Sequence, residues 1–151
     1  MPIHFISRFA RNLVFGFRRE LRPYEATILE QVIGASTPND QVALRFQFES
    51  RERVQRSNER VLFFGFAPEA KLTPIAAIAP DYCYAKIKLR SAEGSVIAKL
   101  MTHRGVLSTI EFSKPPAALL DGEFVVESIA LHPGGTGYTA EIDASEHGLA
   151  E

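Results

Sequence analysis

The chain has 151 residues, 46% of them hydrophobic, which is the usual size of one domain whose core needs no disulfide or metal. Its 17 basic and 18 acidic residues give a net charge of −1, so no overall positive field favours nucleic acid as the main partner. A single cysteine excludes an internal disulfide and favours a reducing compartment, and no run approaches the roughly 20 apolar residues of a membrane span. We expect a cytoplasmic protein with one domain over 1–143 and a frayed tail at 144–151.

The first 34 residues predict two helices. In the first, over 1–21, one apolar stripe is formed by residues three or four apart, namely Ile3, Ile6, Phe9, Leu13 and Phe17. Arginines off this stripe make the segment basic, and we interpret the stripe as packing on a sheet, with binding to a membrane surface or an acidic partner as the alternative. The second helix is predicted from Pro23, a residue suited to a first helical position, to Gly34, a residue suited to a stop.

After a predicted loop at 35–40, the apolar period changes from helical to two. Alternation with polar or small residues predicts a strand over 42–48, its apolar positions being Val42, Leu44, Phe46 and Phe48. The charged segment 50–60 is predicted to be a solvated connection. The apolar run 61–66 is interpreted as a central strand or as an aromatic patch for a partner, and the proline-containing segment 67–80 as irregular structure around a short strand.

The second half of the chain predicts a meander. Alternating patterns separated by short turns predict strands at 82–90, 96–102, 106–112, 124–131 and 138–143. Arg104-Gly105 forms the tight turn between two of them. The predicted fold class is therefore α+β, with two N-terminal helices packed on a mostly antiparallel, meander-rich sheet of about six or seven strands.

No group of residues in the sequence indicates catalysis, a metal or a cofactor. The histidines are scattered singly, without a second ligand at metal-binding spacing, and Cys83 is predicted to be a small apolar core residue. His103 and Glu111 are predicted to lie near each other across a hairpin, where a carboxylate could orient the imidazole. A polar cross-strand pair is the favoured interpretation, and a catalytic or ligand-binding dyad is the alternative.

The exposed face of the 82–90 strand is the candidate binding surface. Aromatic rings and cations are predicted to alternate there, from Tyr82 and Tyr84 to Lys86, Lys88 and Arg90. Such a face can stack bases and pair phosphates, or it can anchor a protein interface. The candidate partner-binding set is completed by residues of the neighbouring hairpin, namely His103, Arg104 and Glu111.

Two pieces of the chain resemble small uncharacterised bacterial α+β domains. They are residues 19–30, Arg-Glu-Leu-Arg-Pro-Tyr-Glu-Ala-Thr-Ile-Leu-Glu, and the meander with Gly94, Val96 to His103, Gly105, Leu107 and Ile110-Glu111-Phe112. Some similar domains are found beside polymorphic toxins, and this resemblance implies an immunity or accessory role. Our leading hypothesis is a non-enzymatic bacterial protein-binding domain. The alternatives are a small-ligand or hydrolytic pocket near His103 and Glu111, and a nucleic-acid accessory domain that uses the Tyr/Lys strand face.

Overall fold

The computed structural model describes residues 20–131 and the backbone of 140–143. The helices are α1 (Pro23–Ala35), α2 (Pro38–Ser50) and the short α3 (Ala117–Leu120). The strands are β1 (Arg53–Ser57), β2 (Val61–Gly65), β3 (Tyr82–Ser91), β4 (Gly94–His103), β5 (Val106–Phe112), β6 (Phe124–Leu131) and β7 (Ala140–Asp143). They form one sheet in the order β1-β2-β5-β4-β3-β6-β7, and every pair is antiparallel. The predicted α+β class, with two helices before the sheet, is confirmed.

The helix predicted from Pro23 is confirmed as α1. Pro23 stands at its first turn, where the missing N–H costs nothing, and the Glu25 carboxylate accepts a hydrogen bond from the backbone N–H of Arg22 (2.7 Å). Its buried side chains recur at helical spacing, in Tyr24, Ile28, Leu29, Val32 and Ile33. The other predicted helix, at 1–21, and the tail at 144–151 lie outside the described residues, apart from positions 20 and 21, which are not helical.

The predicted strand at 42–48 is wrong, because this segment lies inside α2. Thr37 caps the helix by accepting a hydrogen bond from the Asp40 N–H (3.4 Å), and Pro38 follows at its first turn. The side chains that face the core are spaced three and four apart and are Asp40, Ala43, Leu44 and Gln47. Val42 and Phe46, which created the two-residue period, are 71% and 45% exposed. Two of the core-facing positions are polar, so apolar periodicity indicated the wrong element.

The segment 50–60, predicted to be a solvated connection, contains the strand β1. This edge strand has one fully buried apolar side chain, Val54, which explains why its pattern resembled a solvated connection. Asn58 and Glu59, both with positive φ, turn the chain into β2. In the sheet order, β2 is second from the edge, between β1 and β5, and is not central. Residues 66–81 are irregular, as predicted, but contain no strand.

The meander is confirmed, with a two-residue turn at Arg104 and Gly105, both of positive φ, between β4 and β5. Helices α1 and α2 pack on one face of the sheet, and one continuous core lies between the two layers. The backbone register shifts within β3 between Cys83 and Ala85, within the β4–β5 pair after Met101, and in the β3–β6 pair after Lys88. Among the described residues, none of the helices has the length and apolar character needed to span a membrane.

Candidate functional site

The second face of the sheet is turned away from the helices and forms the candidate site, which we call the open face. The strand register identifies the side chains on this face, because successive side chains of a strand point to opposite sides. Leu100 and Ile110 point into the core, so their neighbours Lys99 and Glu111 point outward. On β3, β4 and β5 the exposed residues of this face include Lys86, Lys88, Arg90, Ile97, Lys99 and Glu111. No helix or loop in the described part of the chain covers them.

The two tyrosines predicted on this surface are not there. Tyr84 is fully buried, and Tyr82 is half-buried against the same core. The register shift between Cys83 and Ala85 is the cause, because an extra residue at a bulge puts consecutive side chains out of strict alternation. Cys83, predicted to be in the core, instead lies opposite Met101 on the open face, half-buried. Burial raises the pKa of its thiol, the nearby Lys86 and Lys99 opposing that effect.

His103 and Glu111 are not brought together. His103 pairs with Val106 at the hairpin turn, whereas Glu111 pairs with Lys99 further along the same two strands. The imidazole Nδ1 lies 3.5 Å from the exposed carboxylate of Asp81. The predicted cross-strand pair of His103 and Glu111 is therefore wrong, and so is the alternative of a dyad between them. Arg104 is exposed in the turn, and its backbone N–H donates to the Ala79 carbonyl (3.1 Å).

The remaining predicted cations form a row along β3. The Lys88 ammonium and the Arg90 guanidinium share one carboxylate, that of Glu127 on β6, at 3.2 and 2.9 Å. Glu127 is the extra residue of the β3–β6 bulge, so the bulge itself places this carboxylate beside both cations. Both cationic side chains remain more than half exposed, and the pairing contributes little to stability.

Lys86 and Lys99 occupy directly opposed positions on β3 and β4, and both are exposed. Like charges in this arrangement repel each other, and Glu111, which faces Lys99 from β5, offsets only part of this repulsion because it lies on the far side of Lys99 from Lys86. Across the central strands the open face carries four cationic side chains and two carboxylates, those of Glu111 and Glu127. Its local charge is therefore positive in a chain whose total charge is −1.

Apolar side chains lie between these charges. Ile97, the partner of Lys88 in the sheet, is 43% exposed; Val125, the partner of Arg90, is 52% exposed; and Phe63, on β2 opposite Thr109, is 43% exposed. Sequence reasoning missed Ile97, Val125 and Lys99, whereas Phe63 lies in the run 61–66, for which an aromatic patch for a partner was one of the two interpretations. Their alternation is visible in the sequence, but which strands lie side by side, and so which residues share a surface, is decided by the sheet order.

No candidate metal centre is found in the part of the chain that the structure describes. No group of three His, Cys, Asp or Glu side chains converges among these residues. His4, His132 and His147, and the side chains of Glu141 and Asp143, lie outside the described residues.

Comparison with family models, with curated proteins and with solved structures finds no match to this chain. The resemblance to bacterial domains found beside toxins, and the cytoplasmic location, therefore stay predictions.

Proposed function

We propose that the protein is a non-enzymatic binding domain whose open face docks against an acidic surface of a partner protein. The observation that carries the proposal is the directly opposed pair Lys86 and Lys99, set in a cationic row and left uncovered by the described residues. An acidic partner side chain between the two ammonium groups would replace a repulsion with two favourable contacts.

The apolar side chains of the face support a protein as the occupant. Ile97 and Phe63 supply area that is removed from water on docking, and the surrounding charges supply orientation, as in the centre and rim of ordinary interfaces. A second copy of the chain is a poor occupant, because a two-fold contact through this face would set one cationic row against another. Nucleic acid is also disfavoured, since both tyrosines that could stack bases face the core.

The proposal is tested by site-specific photocrosslinking in cells that produce the protein. p-Benzoylphenylalanine is placed at Ile97 on the open face or, as a matched control, at the exposed Val42 on α2. We expect one protein to be crosslinked from Ile97 and not from Val42. Lys86→Glu should lower the yield by about tenfold, because it reverses a charge at the contact, whereas Lys71→Glu in the distant loop should leave it unchanged.

Equal crosslinking from both positions, an unchanged yield with Lys86→Glu, or a product that ribonuclease removes would each contradict the proposal. An immunity or accessory role in a bacterium is a more specific version of this proposal. It depends on the same contact, and identification of the crosslinked protein tests it.

A further inference from the structure

A cleft of about 490 Å³ lies on the other side of the molecule, between the start of α1, the β1–β2 hairpin, the end of β5 and α3. Its volume is within the range of small-molecule sites. One wall is apolar and is built by Leu62, Phe112, Pro115 and Pro116. The Phe112 ring packs edge-on against the Tyr24 ring, with 5.9 Å between centroids, and this contact fixes the orientation of the Phe112 ring in the wall.

Three arginines also line the cleft. The buried Glu25 carboxylate receives both the Nε (3.1 Å) and a terminal nitrogen of Arg56, so that this pair is neutral and fixed. Arg22 donates one terminal nitrogen to the Tyr24 hydroxyl (3.1 Å), and Arg60 donates its Nε to the Phe112 carbonyl (3.1 Å). The other guanidinium N–H groups of Arg22 and Arg60 have no acceptor among the described residues.

These contacts set the two guanidinium groups beside an apolar wall while leaving donors for a ligand. Guanidinium forks match the two oxygens of a carboxylate. Of the three arginines lining the cleft, Arg56 is paired with Glu25. Arg22 feels the Glu25 and Asp121 carboxylates but forms no ion pair with either, so it and Arg60 are the cations available to an anionic ligand.

We propose that this cleft binds a small organic carboxylate with an apolar, planar body, the carboxylate pairing with Arg22 and Arg60 and the body packing on Phe112 and the two prolines. This site is independent of the open face. Its occupancy does not require the proposed protein partner.

The test uses 2-naphthoate as the probe on the full chain, followed by amide chemical shifts in NMR. We expect a Kd on the order of 1 mM, the affinity usual for a fragment of this size, with shifts centred on Phe112 and Ala117. The neutral analogue 2-naphthalenemethanol should bind about tenfold more weakly, and Arg60→Gln should weaken naphthoate by a similar factor, because each removes charge-assisted hydrogen bonds.

Arg22→Gln serves as the second variant, since it retains the Arg60 contact with the β5 backbone. It should lower the affinity for naphthoate by a similar factor. Arg45→Gln, on α2 outside the cleft, is the control and should bind naphthoate as the wild type does. Equal binding of the acid and the alcohol, unchanged affinity in both cleft variants, or shifts centred elsewhere would overturn the proposal. Lys86→Glu should not change naphthoate binding, so this site and the open face can fail separately.

Discussion

Tyr84, Ser36 and Asp40 form a hydrogen-bonded group inside the core. The Tyr84 hydroxyl lies 2.9 Å from Ser36 Oγ and 3.1 Å from Asp40 Oδ2, and the other oxygen of Asp40 accepts from the Ala76 N–H (3.1 Å). Ser36 in turn donates to the Val32 carbonyl. One tyrosine hydroxyl therefore connects the sheet to the end of α1, the start of α2 and the loop before β3.

Tyr84→Phe should lower the free energy of unfolding by about 2 kcal/mol at neutral pH, because it leaves a buried carboxylate oxygen without its donor. Tyr24→Phe is the matched control. It removes a hydrogen bond from the exposed Arg22 and should cost under about 1 kcal/mol. Urea unfolding of the three proteins measures both values. Equal losses in the two variants would contradict the role given to the buried group.

The stabilities of the wild type and of Tyr84→Phe should also depend differently on pH in the alkaline range. Burial, together with the nearby Asp40 carboxylate, raises the pKa of Tyr84 above its ordinary value. The neutral phenol is thus favoured in the folded state, and its contribution is complete below the pKa of the unfolded chain, about 10, and is lost as the pH rises further. The stability advantage of the wild type over Tyr84→Phe should therefore shrink above about pH 10.

At the scale of elements, the Gln47 side chain holds α2 against the loop and the sheet. Its Nε2 donates to the carbonyls of Thr73 (2.7 Å) and Gly105 (2.9 Å), and its Oε1 accepts from the Leu107 N–H (2.8 Å). The side chain is completely buried. One amide thus bonds three backbone groups on two separate segments, and the hydrogen bonds to Gly105 and Leu107 are buried.

Gln47→Met keeps the shape of the side chain and removes all three hydrogen bonds. We expect a loss of about 3 kcal/mol in the free energy of unfolding, because the buried Leu107 N–H loses its acceptor and the hydrogen bonds to the Thr73 and Gly105 carbonyls are removed. Gln41→Met, on the same helix, is the control. Its amide bonds lie at a partly exposed helix end, and water can replace them, so the loss should stay under about 1 kcal/mol. Similar losses, measured by urea unfolding, would show that Gln47 does not hold the elements together.

At the scale of the whole molecule, both helices and the sheet share one continuous core. Tyr24 on α1 and Tyr84 on β3 are both buried in it, and the chain contains no tryptophan. Near-ultraviolet circular dichroism of the tyrosines therefore reports the packing of helix on sheet, and the far-ultraviolet signal reports secondary structure.

We expect the two signals to change in one coincident transition in urea, since neither layer has a separate core that would keep it folded alone. Loss of the tyrosine signal at a clearly lower urea concentration than the helical signal would contradict this prediction. It would indicate that the layers separate before the secondary structure unfolds.

The sequence by itself determined the elements whose apolar periodicity coincides with their buried side. α1 and the β3–β4–β5 meander are of this kind, and their turn residues, such as Arg104-Gly105, agree with the pattern. The helix α2 could be identified only from the tertiary structure, since two of its core positions, Asp40 and Gln47, are polar. Burial of these two side chains becomes favourable only through hydrogen bonds to partners remote in the chain. The composition of the candidate surface likewise depends on the tertiary structure. A bulge turned Tyr84 inward and Cys83 outward, and sheet order set Lys99 against Lys86, because register and strand neighbours depend on contacts that no single segment contains.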